Sequence, residues 1–236
     1  MSEELLPMPD DWQSALAVVA HPDDIEFGCA GAVASWTSAG KSVAYLLLTR
    51  GEAGIDGMPP ERAAPAREAE ERTSAGIVGV DSVEFLDYAD GTIEYGLRLR
   101  RDLAAAIRCH RPELVVTFNF HDRFPGGKWN TPDHRNTGRA LLDAIADAGN
   151  RWVFPELEQE PWSGVRYVAV ASSPHATHAV DVTDSLERAV AALEAHAEYL
   201  RGRGLTDVRG PLTGFAKLYG ERFGGRPAIP FELHVW

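Results

Sequence analysis

The stretch Ala15-Leu16-Ala17-Val18-Val19-Ala20-His21-Pro22-Asp23-Asp24 decides how this chain is read. Its first part is a short apolar run that reads as a buried strand. One histidine and two aspartates follow at once, in a tight turn at the strand's carboxyl end. That is where an open α/β sheet builds its ligand site, in the crevice beyond the strand ends. Histidine and carboxylate are metal ligands, and a second carboxylate beside them can move protons. The stretch therefore points to a hydrated metal site.

Outward from it, strand and helix patterns alternate. Strands are expected at 15–20, 43–48, 82–86, 114–118 and 168–171. A helix rich in small residues is expected at 28–39, closed by Gly40. Another at 61–77 carries charges and alanines and ends near Gly79. Leu99, Leu103 and Ile107 recur at four-residue spacing and make one helical face over 97–109; a further helix covers roughly 132–148. Leu186, Val190, Leu193, Ala197 and Leu200 give one continuous stripe, with Asp184 and Glu187 as a capping box. This alternation predicts βαβ units and the α/β class: a Rossmann-like open, mostly parallel sheet with helices on both faces. Residues 1–236 are expected to form one domain, with 202–236, rich in Gly and Pro, as an irregular C-terminal segment.

Composition narrows the function classes. The 236 residues are 44% hydrophobic, enough for one substantial core. The formal charge of −12 disfavours phosphate-rich partners, so nucleic-acid binding is not expected. Two widely spaced cysteines, Cys29 and Cys109, make neither a disulfide framework nor a thiolate metal site, which suits a reducing cytoplasmic compartment. The start, Met1-Ser2-Glu3-Glu4-Leu5-Leu6, is acidic and does not read as a signal peptide, and no stretch has the apolar length of a membrane span. A homo-oligomer stays open.

Three segments follow strand ends and so meet at one edge of a parallel sheet: the His21 turn, the loop Thr49-Arg50-Gly51-Glu52-Ala53-Gly54, and Asn130-Thr131-Pro132-Asp133-His134-Arg135. His21 and Asp24, three apart in a turn, can face one centre. A catalytic zinc commonly takes three protein ligands, and His134 is the best-placed third. Asp23 is then free to take a proton from a bound water.

These three motifs together resemble the LmbE/PIG-L superfamily of zinc-dependent de-N-acetylases, over about residues 15–200. The resemblance implies a zinc triad of His21, Asp24 and His134, with zinc or another divalent ion as cofactor. It further implies Asp23 as general base and Arg50 as the substrate-contacting arginine. The substrate it implies is a small N-acylated sugar or glycoconjugate. Asp90 resembles an acidic position near the family's substrate pocket, and Glu52 and His121 join the substrate-binding candidates. Many members read His-Pro-Asp-His before the last ligand, where this chain has Thr131-Pro132-Asp133-His134. Thr-Pro-Asp is a strong helix start, so capping is the main expectation for Thr131, with its hydroxyl still able to reach substrate. The role of the missing His then falls to the metal, His121 or Arg50. Ile25 stands where many members have Glu, with Glu26 one place later.

The mechanism this implies is metal-assisted hydrolysis of a linear amide. A rival reading is a nucleotide-binding doubly wound module, because Gly28 and Gly31 flank a helix start after the first strand. Their spacing does not match the dinucleotide fingerprint, and close helix–sheet packing explains them better. A third reading keeps fold and metal in a weakly active relative. His175 and His178 lack an accompanying carboxylate pattern, and His196 is expected to be a packed histidine.

Overall fold

The computed structural model describes residues 4–236; Met1, Ser2 and Glu3, part of the start read above, lie outside the described residues. In chain order the elements are β1 (Leu6–Pro7), β2 (Ser14–Val19), α1 (Asp24–Gly28), α2 (Ala30–Ser38), β3 (Ser42–Leu47) and α3 (Pro60–Ile77). Then come β4 (Ser82–Phe85), α4 (Leu97–His110), β5 (Leu114–Phe118), α5 (Pro132–Gly149), β6 (Tyr167–Ala171) and β7 (His178–Asp181). The chain ends with α6 (Leu186–Glu194), α7 (Ala197–Gly202), α8 (Arg209–Gly220) and β8 (Ala228–Val235). Among the described residues no helix is long and apolar enough to cross a membrane.

One eight-stranded sheet has the order β1-β7-β8-β6-β5-β2-β3-β4, parallel throughout except for β8, which runs antiparallel to both neighbours. Alternation along β2 shows why helices cover both faces. Ala15, Ala17 and Val19 face a core shared with Val33 and Trp36 of α2 and Ala189 of α6. Leu16 and Val18 face the opposite core, with Leu103 of α4 and Leu141 of α5. A period of two on a sheet buried on both sides is what makes the run continuously apolar.

β2 and β5 are neighbours at the centre, and the chain leaves β2 toward β3 but leaves β5 toward β6. The crevice beyond their carboxyl ends is thus a topological switch point, the place where such sheets bind ligands. The small residues after β2 serve packing: a Cβ on Gly28 would stand 3.0 Å from the Phe118 ring, and one on Gly31 would stand 3.2 Å from Val182.

Three expectations need correction. The segment 202–236 is not irregular, since it forms α8 and β8, with β8 inserted between β6 and β7. Pro230, which argues against a central strand, is tolerated because it pairs only toward β7. Pairing with β6 begins one residue later, at Phe231. The stripe 186–200 is two helices that break at Ala195 and His196, and Ser185, without a side-chain cap bond, stands at the N-cap in place of a capping box. The helix expected at 28–39 is preceded by a separate turn, α1, and the two are divided at Cys29.

Candidate active site

The site begins with the backbone of the His21 turn. Asp23 holds φ 97° and ψ −20°, a left-handed conformation that a residue with a Cβ adopts only under constraint. The constraint is visible. Arg67, 2% exposed, donates to the Pro22 carbonyl, to Asp23 Oδ1 at 2.8 Å and to the Gly51 carbonyl at 2.9 Å. One guanidinium on α3 therefore ties the turn after β2 to the loop after β3. Gly51, at φ +63°, is there to admit it: a Cβ on that residue would lie 2.0 Å from Arg67 Nη1.

Three lone-pair donors converge beside this turn. His21 Nδ1 lies 3.2 Å from His134 Nε2; Asp24 Oδ1 lies 3.0 Å from His134 Nε2, and Asp24 Oδ2 3.6 Å from His21 Nδ1. The protons of both imidazoles are directed elsewhere. His21 Nε2 faces Asp133 Oδ2 and Asp90 Oδ1, each at 3.1 Å. His134 Nδ1 meets Asn130 Oδ1 at 2.8 Å. The Asn130 amide cannot be turned over, because its Nδ2 donates to the Asn119 and His121 carbonyls while its Oδ1 also accepts from Thr131 N. With both remote nitrogens donating, the two inner nitrogens and the Asp24 carboxylate face one another as acceptors. That arrangement is repulsive unless a cation sits among them. Ligands about 2.0–2.1 Å from a tetrahedral zinc stand roughly 3.3–3.4 Å apart, and the 3.0–3.6 Å spacings match that edge. The donor set fits a divalent ion, with Asp133 and Asp90 as the outer carboxylates that orient His21.

Electrostatics agree with the geometry. Burial alone would lower the proton affinity of His21, but Asp133, Asp24 and Asp90 outweigh it and hold the imidazole well above its ordinary value. Burial would raise Asp24, yet the charge and bond of His134, joined by His21, hold it below the carboxylate range. A place that attracts a proton this strongly attracts a metal to the same lone pairs. Asp23 is different. Burial pushes its carboxyl up, and Arg67 offsets part of that shift.

A cavity of about 220 Å³ opens on this cluster, lined by His21, Asp23, Asp24, Gly54, Arg67, Asp90, Thr131, His134, Tyr199 and Arg203. Thr131 caps α5, accepting from His134 N at 3.3 Å. Other anticipated residues are placed differently. Arg50 turns away from the cavity: its Nε pairs with Glu68 at 3.0 Å and its Nη1 with Asp87 at 2.8 Å. The guanidinium beside Asp23 belongs to Arg67 instead. Glu52 braces the loops, accepting from Asp90 N at 2.9 Å while Asp90 accepts from Ala53 N at 2.8 Å. His121 pairs with Glu232 at 2.6 Å and lines a neighbouring hollow with Trp129 and His175. Sequence reading missed Arg67, Asp133, Tyr199 and Arg203. Asp133 had a signal, standing beside His134; it also accepts from Gly91 N and Ile93 N, which locks the loop after β4 against α5.

A doubly wound sheet with two imidazoles and a carboxylate converging at its switch point, and a second carboxylate beside them, defines an α/β protein with a candidate metal centre. The chain belongs to the GlcNAc-PI de-N-acetylase family, PIG-L, which matches residues 16–145, the span holding every donor named above. It is 30% identical over 196 residues to the diacetylchitobiose deacetylase of Thermococcus kodakarensis, covering 79% of this chain and 70% of that protein. It is also 30% identical over 193 residues to the "Probable N-acetyl-alpha-D-glucosaminyl L-malate deacetylase 2" of Bacillus anthracis, covering 77% and 79%. The structure of the N,N'-diacetylchitobiose deacetylase from Pyrococcus horikoshii superposes with a TM-score of 0.86 at 26% identity, over 95% of this chain and 85% of that one.

Proposed function

We propose that the chain is a metal-dependent N-deacetylase that hydrolyses the amide of an N-acetylated amino sugar or sugar conjugate. The observation that carries this is the convergence of His21 Nδ1, His134 Nε2 and Asp24 on one point, with the Asp23 carboxylate at the edge of the same small cavity. The deacetylase relatives support the substrate class.

His21, Asp24 and His134 would hold the ion, zinc or another divalent metal. Such an ion polarises the acyl carbonyl and brings a water's pKa down to about 7 from nearly 16. Asp23 takes a proton from the water as its oxygen bonds to the acyl carbon. A carboxyl pushed up by burial is a better base than an ordinary aspartate, and Arg67 on Oδ1 together with the Tyr199 hydroxyl holds it in place. The C–N bond then breaks, Asp23 returns the proton to the amine, and a carboxylate and a free amine leave. The Thr131 hydroxyl, which accepts from His134 N, keeps its own hydrogen to offer the developing oxyanion. Asp90 holds His21 in its ligating orientation, Arg67 positions Asp23, and the substrate-facing cation is Arg203 in place of Arg50. The His121 hollow is lined by Phe124, whose ring centroid is 6.1 Å from that of His134, and would receive the rest of the substrate.

Acetate release from N-acetylglucosamine and diacetylchitobiose tests the reading. Asp23→Asn should keep the metal and lower kcat by about 10²–10⁴-fold. A variant that kept both metal and most of its rate would remove Asp23 from the mechanism.

A further inference from the structure

Behind the cavity lies a second group of lone-pair donors that the proposed reaction does not use. Glu26 of α1, Glu71 of α3 and His196 at the break between α6 and α7 meet in the interior, at 2%, 0% and 0% exposure. One oxygen from each glutamate and one ring nitrogen of His196 lie within 4.8 Å of one another. His196 Nε2 is 3.6 Å from Glu26 Oε2 and 3.7 Å from Glu71 Oε2. These spacings are too long for charge-assisted hydrogen bonds, which run at about 2.7–2.9 Å. They are also too short for partners of one bridging water, which at about 2.8 Å from each tetrahedral partner would stand roughly 4.6 Å apart. They are closest to the edge of a metal polyhedron, roughly 3.3–3.4 Å for zinc.

Most of the atoms facing this gap lie beyond hydrogen-bond distance of a partner, with the Asp23 backbone N–H directed toward Glu71. Both oxygens of Glu71, Oε2 of Glu26 and both ring nitrogens of His196 are buried without a hydrogen-bond partner. Only Glu26 Oε1 is satisfied, by the Ser74 hydroxyl at 2.5 Å. The charge balance points the same way. Among the described residues, Glu26 and Glu71 have no arginine or lysine within salt-bridge distance, and His196 is the one basic side chain beside them. Bare buried carboxylates are retained when paired or when they coordinate a metal.

We propose that Glu26, Glu71 and His196 form a second, structural site for a divalent cation of the zinc or manganese class, distinct from the cluster at the cavity. Two carboxylates and one imidazole suit such ions. The site is sealed from solvent, so it loads as the chain folds, and it clamps α3, the helix that carries Arg67, to α1 and the α6–α7 junction.

Metal content per chain tests this on the full-length protein produced with zinc, and separately with manganese, then dialysed into metal-free buffer. The wild type should carry two ions, His134→Ala one and Glu71→Gln one. Anomalous diffraction from the wild type should place a peak among Glu26, Glu71 and His196. That peak needs no variant, so the test survives if Glu71→Gln fails to fold. A metal-free His134→Ala protein, or wild-type crystals with one peak at His21, Asp24 and His134 and none at the buried group, overturns the inference. An ion that survives His134→Ala and is lost in Glu71→Gln, in a chain that binds none at the cavity, upholds this site while sinking the proposed mechanism.

Discussion

Arg67 offers the sharpest perturbation. Arg67→Met keeps the aliphatic stem beside Tyr199, whose ring centroid lies 4.1 Å from the guanidinium carbon, and removes the charge together with its hydrogen bonds. The change strips donors from the Pro22 and Gly51 carbonyls and leaves the Asp23 carboxylate buried without a cation. Breaking a buried ion pair by deleting one member costs about 3–5 kcal/mol, because the remaining charge stays uncompensated. Much of that loss should vanish when the carboxylate is absent. Arg67→Met in an Asp23→Asn background should therefore cost about 1–3 kcal/mol less than in the wild type. Urea unfolding of the wild type, both single variants and the double variant at pH 7, with matched metal content, gives the coupling directly. The single variant should retain the metal, since Arg67 touches none of the three donors, and should lose about 10²-fold or more in kcat as Asp23 loses its positioning. If the two substitutions add to within about 0.5 kcal/mol, the pair does not hold the turn and the argument from Arg67 fails.

Arg50→Ala is the counterpart: with its guanidinium engaged by Glu68 and Asp87 outside the cavity, kcat/KM should stay within about threefold of wild type, and a hundredfold loss would restore Arg50 to the site. Thr131→Ala removes the N-cap bond to His134 N and should destabilise the fold by about 1 kcal/mol in urea unfolding. No change there would mean that the hydroxyl's only role is toward the substrate. Glu232 sets a pH dependence. Burial by itself raises its carboxyl, but the Ser173 hydroxyl and His121 outweigh that and hold it below the ordinary value. Its stabilising contribution is thus present above about pH 4.3 and is lost as pH falls through the lower folded value. Glu232→Gln should flatten that part of the acid limb in thermal melts, and an unchanged limb would discard the assignment.

What the sequence made legible follows from where apolar residues are obliged to sit. The β2 run and the three loops at strand ends carry their meaning locally, because a strand buried on both faces admits few polar residues and the metal-type donors cluster where the strands stop. The helix α3 shows the opposite case. Its buried face is Arg67, Glu71 and Ser74, at i, i+4 and i+7, with Ala63 and Ala75. The same spacing in leucines would have been read at once as the inward face of a helix. In charged residues it reads as a solvated surface, because burying charge is expected only where partners exist. Those partners lie 44 and 45 residues before Arg67 and 48 residues before Ser74, and no local pattern announces them. The glycines of the loop after β3 were the indirect trace. Gly51 and Gly54 leave room for a guanidinium, and the residue that fills the room is the one a buried carboxylate at Asp23 requires. A polar stripe at helical period, following a Gly-x-x-Gly loop, is therefore a pattern worth reading as buried whenever an aspartate in a strand-end turn still lacks its cation.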